Sequence, residues 1–100
     1  MDYEEIYFSA VRKALGRNPD ALPLQVGFRL YHKPLIGMVF IRFLLEEGTD
    51  TYTNGRYEGM LSALGMTSGV ERFVIRSVVE DAYRIAKREI EEKEDELENA

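Results

Sequence analysis

Four arginines in the last third of the chain recur in steps of four: Arg72, Arg76, Arg84 and Arg88, with Glu80 in the remaining place. On a helix, residues four apart share a face, so these five form one stripe. Two chemistries suit it. Guanidinium forks match phosphate oxygens, which makes Arg72 and Arg76 candidate nucleic-acid contacts. Alternatively, Arg76–Glu80, Glu80–Arg84 and Arg88–Glu92 pair at i, i+4 into a surface ladder, worth about 0.2–0.5 kcal/mol per pair. The acids that follow Arg88 favour the ladder, because they repel a phosphate backbone approaching that end.

Catalytic chemistry is sparse. The one histidine, His32, stands in a Tyr-His-Lys-Pro stretch and reads as a turn residue. Zinc needs several nitrogen or sulfur ligands, and the chain has one imidazole and no cysteine. Glu4/Glu5, Glu46/Glu47 and Glu80/Asp81 are adjacent carboxylates, but neighbours on a helix diverge by about 100°. No glycine-rich phosphate loop occurs. The expectation is a non-catalytic protein without metal or cofactor.

The elements that would position these residues follow from composition and periodicity. The chain has 100 residues, 45% of them hydrophobic, enough for one folded domain. Its charge of −5 is uneven: residues 89–100 hold seven acids and one base, while residues 1–88 hold 11 acids and 12 bases. This predicts a single domain over 1–88 and an acidic helical tail over 89–100, frayed at its end. The longest apolar run, 35–45, carries Arg42 and is too short to span a bilayer. The acidic first residues do not read as a signal peptide, and the absence of cysteine fits a reducing compartment. A cytoplasmic protein without membrane contact is expected.

Asp2 to Leu15 predicts a helix with a capping box at Asp2 and Glu5. Leu22, Leu24, Val26, Phe28 and Leu30 alternate with other residues, the pattern of a half-buried strand. Segment 34–47 matches a helix through Ile36, Val39, Phe40, Phe43 and Leu44, although several of these are also good strand formers. Asn54-Gly55 predicts a hairpin over 51–58, with Asn54 as a helix cap the competing reading. In that competing reading a short helix runs through Leu64, and in either reading 59–65 holds at most two helical turns. From Ser68 to about Glu98 helical spacing persists, with Ser68 and Glu71 as a capping box. About 30 helical residues span about 45 Å, longer than a body with a radius of gyration of about 13 Å. Leu24, Val26, Phe28, Phe40, Phe43, Leu44, Leu61, Phe73, Val74 and Val78 are the expected core.

Residues 25–30 (Gln-Val-Gly-Phe-Arg-Leu), followed by a helix ending Glu46-Glu47-Gly48, resemble the start of ribbon-helix-helix repressors over about 25 residues. The resemblance implies a dimeric DNA-binding regulator, with Gln25, Gly27 and Arg29 facing the major groove. The family's second helix should begin soon after Gly48, where this chain offers Asn54-Gly55 instead. A helix-turn-helix reading of 63–70 fits less well, since Gly69 would begin its recognition helix.

The expected fold is therefore α+β and predominantly helical: helix, short strand, helix, hairpin or turn, short helix, long C-terminal helix. The expected function is a non-catalytic protein-binding module that forms a homodimer. The overlong helix and six tyrosines motivate it, with Tyr83, Ile85 and Ile90 as candidate interface residues. The DNA-binding regulator, through Gln25, Arg29, Arg72 and Arg76, is the alternative.

Overall fold

The computed structural model describes residues 1–48 and 50–99. Over these residues the chain is all-helical, with five α-helices, 89% helix and no strand. Helix α1 spans Tyr3–Gly16, and a 3-10 turn at Pro19–Ala21 leads into the short α2, Leu22–Val26. Helices α3 (Phe28–Glu47), α4 (Thr51–Ser68) and α5 (Arg72–Glu98) follow.

Helix α1 starts where its sequence predicts, because Asp2 accepts the Glu5 amide at 3.2 Å. Its Ile6, Ala10, Val11, Ala14 and Leu15 are buried. The expected strand over 22–30 is a correction: these residues form α2 and the start of α3. Pro19 and Pro23 both sit in first turns, where a missing N–H costs nothing. The alternation was fortuitous, for Leu24 is buried while Leu22, Val26 and Leu30 face solvent. Gly27 marks the bend between α2 and α3. A Cβ there would lie 2.7 Å from the Tyr31 ring, so glycine permits the close approach.

The ambiguous segment 34–47 is helical, and its helix begins earlier, at Phe28, with Pro34 inside it. Its buried residues are Leu35, Met38, Val39 and Ile41. Phe40 and Leu44, expected in the core, are exposed. The expected hairpin is the second correction. Asp50 caps α4 by accepting the Thr53 amide at 2.7 Å and its hydroxyl at 2.9 Å. Asn54 and Gly55 therefore lie within the helix. Tyr57, Leu61 and Leu64 recur at helical spacing and are buried, and this packing outweighs the roughly 1 kcal/mol cost of a helical glycine.

Gly69, at φ 75°, ends α4 in the left-handed conformation that glycine adopts without strain. Ser68 belongs to α4 and bonds the Leu64 carbonyl, so the expected capping box with Glu71 does not form. Helix α5 has 27 residues, hence about 40 Å, in a molecule 46 Å long. It packs on α1, α3 and α4 through Val74, Ile75, Val78, Val79, Ala82, Tyr83 and Ala86. Asn18 at the end of α1 bonds Asp81 at 3.0 Å, while Tyr3 at its start lies beside Ile90, so α1 and α5 run antiparallel. Of the expected core, Leu24, Leu61, Val74 and Val78 are buried, Phe28 and Phe43 are half-buried, and Val26 and Phe73 are exposed. Among the described residues, no helix is long and apolar enough to cross a membrane.

Candidate functional site

Most candidate residues are positioned by α5 or by α3 beside it, and Gln25 by the short α2. The stripe does not keep to one side of α5: toward α3 and α4, its Arg72, Arg76 and Glu80 pair with charges of those helices, while Arg84 and Arg88 lie toward α1. Arg72 and Arg76 both donate to Glu58 on α4, at 2.6 and 3.1 Å. Glu80 accepts from Arg42 on α3 at 2.5 Å. Arg42 also lies 4.2 Å from the centre of the Tyr83 ring and reaches Glu46, one helical turn on, at 3.3 Å. Glu46 accepts the Tyr83 hydroxyl as well and lies 3.4 Å from the Lys87 ammonium. The Tyr83 hydrogen bond, and then that of Lys87, hold the Glu46 carboxyl below the ordinary glutamate range. These contacts tie α3 to α5 by a polar network beside the core.

A cleft of about 510 Å³ opens between α3, α4 and α5, lined by Arg42, Glu46, Tyr57, Glu58, Arg76 and Glu80 among others. Its charges are already paired with one another. The Tyr57 hydroxyl at its inner wall is buried and lacks a hydrogen-bond partner among the described residues. Burial, then the nearby Glu80 charge, raises its pKa above that of a free tyrosine. An unpartnered buried hydroxyl costs stability, whereas its removal does not. Tyr57→Phe should therefore leave the unfolding free energy unchanged or raise it by up to about 1 kcal/mol in chemical denaturation. A loss above about 1 kcal/mol would mean that the hydroxyl is bonded in solution.

On the opposite side of α5, facing α1, a second groove of about 540 Å³ is bordered by Lys13, Arg17, Arg84, Arg88, Glu92 and Glu96 among others, with half-buried Ile85 also lining it. Arg84 bonds Asp81 within its own helix, and Arg88 reaches Glu92 at 3.3 Å. Lys13 and Arg17 form no ion pair among the described residues. At the end of the body, Tyr3, Tyr7, Phe40, Phe43, Leu44 and Ile90 enclose an apolar hollow of about 370 Å³, with Glu47 at its edge. Tyr3, Phe40 and Leu44 are exposed there.

The candidate residues thus separate. Tyr83 is 4% exposed and committed to Phe43, Arg42 and Glu46 inside the chain. Ile85 and Ile90 are half-buried on two different surfaces. Gln25 donates to the Leu15 carbonyl at 2.6 Å, closing the end of α1. Arg29 is exposed near the start of α3. The ribbon-helix-helix resemblance loses the strand on which it rests. Of the expected ladder, Arg88–Glu92 and the longer Arg84–Glu80 contact form, while Arg76 turns to Glu58 instead.

Arg42, Glu58, Lys13 and Arg17 carry little signal in the sequence. The i, i+4 spacing of Arg42 and Glu46 was a usable signal for the first. The others act across helices, where sequence spacing carries no information. Among the described residues, no three His, Cys, Asp or Glu side chains converge as a metal site requires. Compared with protein-family models, with curated proteins and with solved structures, the chain matches none of them.

Proposed function

We propose that the protein is a non-catalytic helical module that binds protein and associates with itself. One observation carries this reading. Helix α5 continues past the end of the body: every residue from Glu91 to Glu98 is exposed, and Leu97, one heptad beyond Ile90, is 70% exposed with the rest of its stripe packed behind it. Isolated helix ends are marginal in water, and an amphipathic stripe gains its stability by packing. The exposed aromatic side chains Tyr3 and Phe40 beside Ile90 add support, since such residues anchor protein interfaces.

The nucleic-acid alternative has weaker support. Arg72 and Arg76 are held by Glu58, Gln25 is held by α1, and α5 ends in acids. Sedimentation of the full chain at micromolar concentration should give a dimer. A monomer throughout that range would remove the self-association. Duplex DNA binding that persists at 150 mM salt and disappears in Arg72→Ala with Arg76→Ala would favour the alternative.

A further inference from the structure

Four charges of α5 on its groove side are arranged symmetrically about position 90. Arg84 and Glu96 are equidistant from it, as are Arg88 and Glu92, so each of these two arginines answers a glutamate on the other side; Lys93 and Glu89, also in the lining, fall outside this pattern and pair with each other at 3.6 Å. The four symmetric charges border the groove between α1 and α5, together with Lys13 and Arg17. We infer that this groove receives the acidic C-terminal end of α5 from a second copy of the chain, the two α5 helices lying antiparallel through their groove faces and crossing at the level of position 90. The inference rests on the self-association proposed above and assigns it to this groove, leaving the hollow of Tyr3, Phe40 and Ile90 outside the contact.

Three features of the groove fit that occupant. An antiparallel crossing at that level sets Arg84 against Glu96 of the second copy and Arg88 against its Glu92, and the two-fold axis repeats both pairs. An isologous contact needs such self-complementarity. The same crossing carries Asp95 and Glu98 of the second copy toward Lys13 and Arg17, the groove's cations without an ion pair among the described residues. A parallel crossing would set arginine against arginine, which selects the antiparallel one. The existing contacts do not compete strongly. The Arg84 and Arg88 side chains are 63% and 84% exposed in their intrahelical pairs, and such exposed pairs are weak. Half-buried Ile85 supplies an apolar patch between the charges.

The arrangement permits a charge-exchange test on the full chain. One variant carries Arg84→Glu with Arg88→Glu, so that its four positions are all acidic. A second carries Glu92→Arg with Glu96→Arg, so that they are all basic. Circular dichroism checks that each remains folded, and sedimentation reads association. Wild type should dimerise, more weakly as salt rises. Each variant alone should show a dissociation constant raised at least about tenfold. An equimolar mixture should form the mixed dimer, because acid then meets base at all four positions. Lys13→Glu with Arg17→Glu, on the other helix, tests the same groove should the α5 variants fail to fold, and should also weaken the dimer. A wild-type monomer overturns both the self-association and this interface. A wild-type dimer unaffected by the variants, or variants that fail to pair with each other, overturns the interface and leaves the self-association standing.

Discussion

Leu61→Ala should destabilise the protein by about 2–5 kcal/mol, whereas Phe73→Ala should cost under about 1 kcal/mol. The order is the reverse of what side-chain size suggests. Leu61 is fully buried on α4 where it meets α3 and α5. Its truncation removes apolar area from the core and leaves a cavity that helices on several sides cannot easily close. Phe73 is 64% exposed in the first turn of α5. Its ring is mostly in water in the folded state, so little transfer free energy is at stake. Chemical denaturation of both variants, with equal slopes, checks the pair. A Phe73 loss comparable to that of Leu61 would place the aromatic in the core and rotate α5 by about one residue.

That contrast also shows what was legible in the sequence. The first helix follows from periodicity and its Asp2 cap, whereas the long C-terminal helix and the helical state of 34–47 follow from periodicity alone, the observed starts of these helices differing from the expected Ser68 and Pro34. The rotation of α3 does not. Ile36, Val39, Phe40, Phe43 and Leu44 fit a helical stripe as written, but the stripe that α3 buries is Leu35, Met38, Val39 and Ile41. Both are apolar, so periodicity cannot rank them. The neighbouring helices α1, α4 and α5, on which α3 packs, choose between them. The two β readings failed for a related reason. Alternation over 22–30 and the Asn54-Gly55 pair are local signals, and a strand needs a partner that this chain does not provide among its described residues. Asp50, capping Thr53, was the stronger local signal at that position. The polar network at Tyr83 was the least legible feature. It joins residues 37 and 38 positions apart through Tyr83–Glu46 and Arg42–Glu80, contacts fixed by the packing of α3 on α5.

Tyr83→Ala should cost about 3–5 kcal/mol, while Tyr83→Phe should cost about 0.5–1.5 kcal/mol. The ring lies 4.7 Å from Phe43, centre to centre, and under the Arg42 guanidinium. The larger variant loses both contacts, and the smaller loses only the hydroxyl bond to Glu46, which keeps Arg42 and Lys87. The hydroxyl also sets how the fold responds to alkali. Burial, then the hydrogen bond to Glu46, raises the Tyr83 pKa; burial, then the proximity of Tyr3, does the same for Tyr7. With Tyr57, three tyrosines hold their protons more tightly folded than unfolded. Above the free-tyrosine value, about pH 10, the native state binds more protons than the unfolded chain, so stability falls as pH rises. The contribution is complete below pH about 10 and lost as the native groups ionise. In the opposite direction, the lowered Glu46 pKa gives stability that is present at neutral pH and lost in acid. The ultraviolet tyrosinate band should therefore develop cooperatively with the loss of helix for these three rings. Tyr83→Phe should show a shallower fall in stability through that alkaline range. An identical alkaline slope in wild type and Tyr83→Phe would mean that the Tyr83 hydroxyl is solvated in the native protein, and the α3–α5 network would then have to close without it.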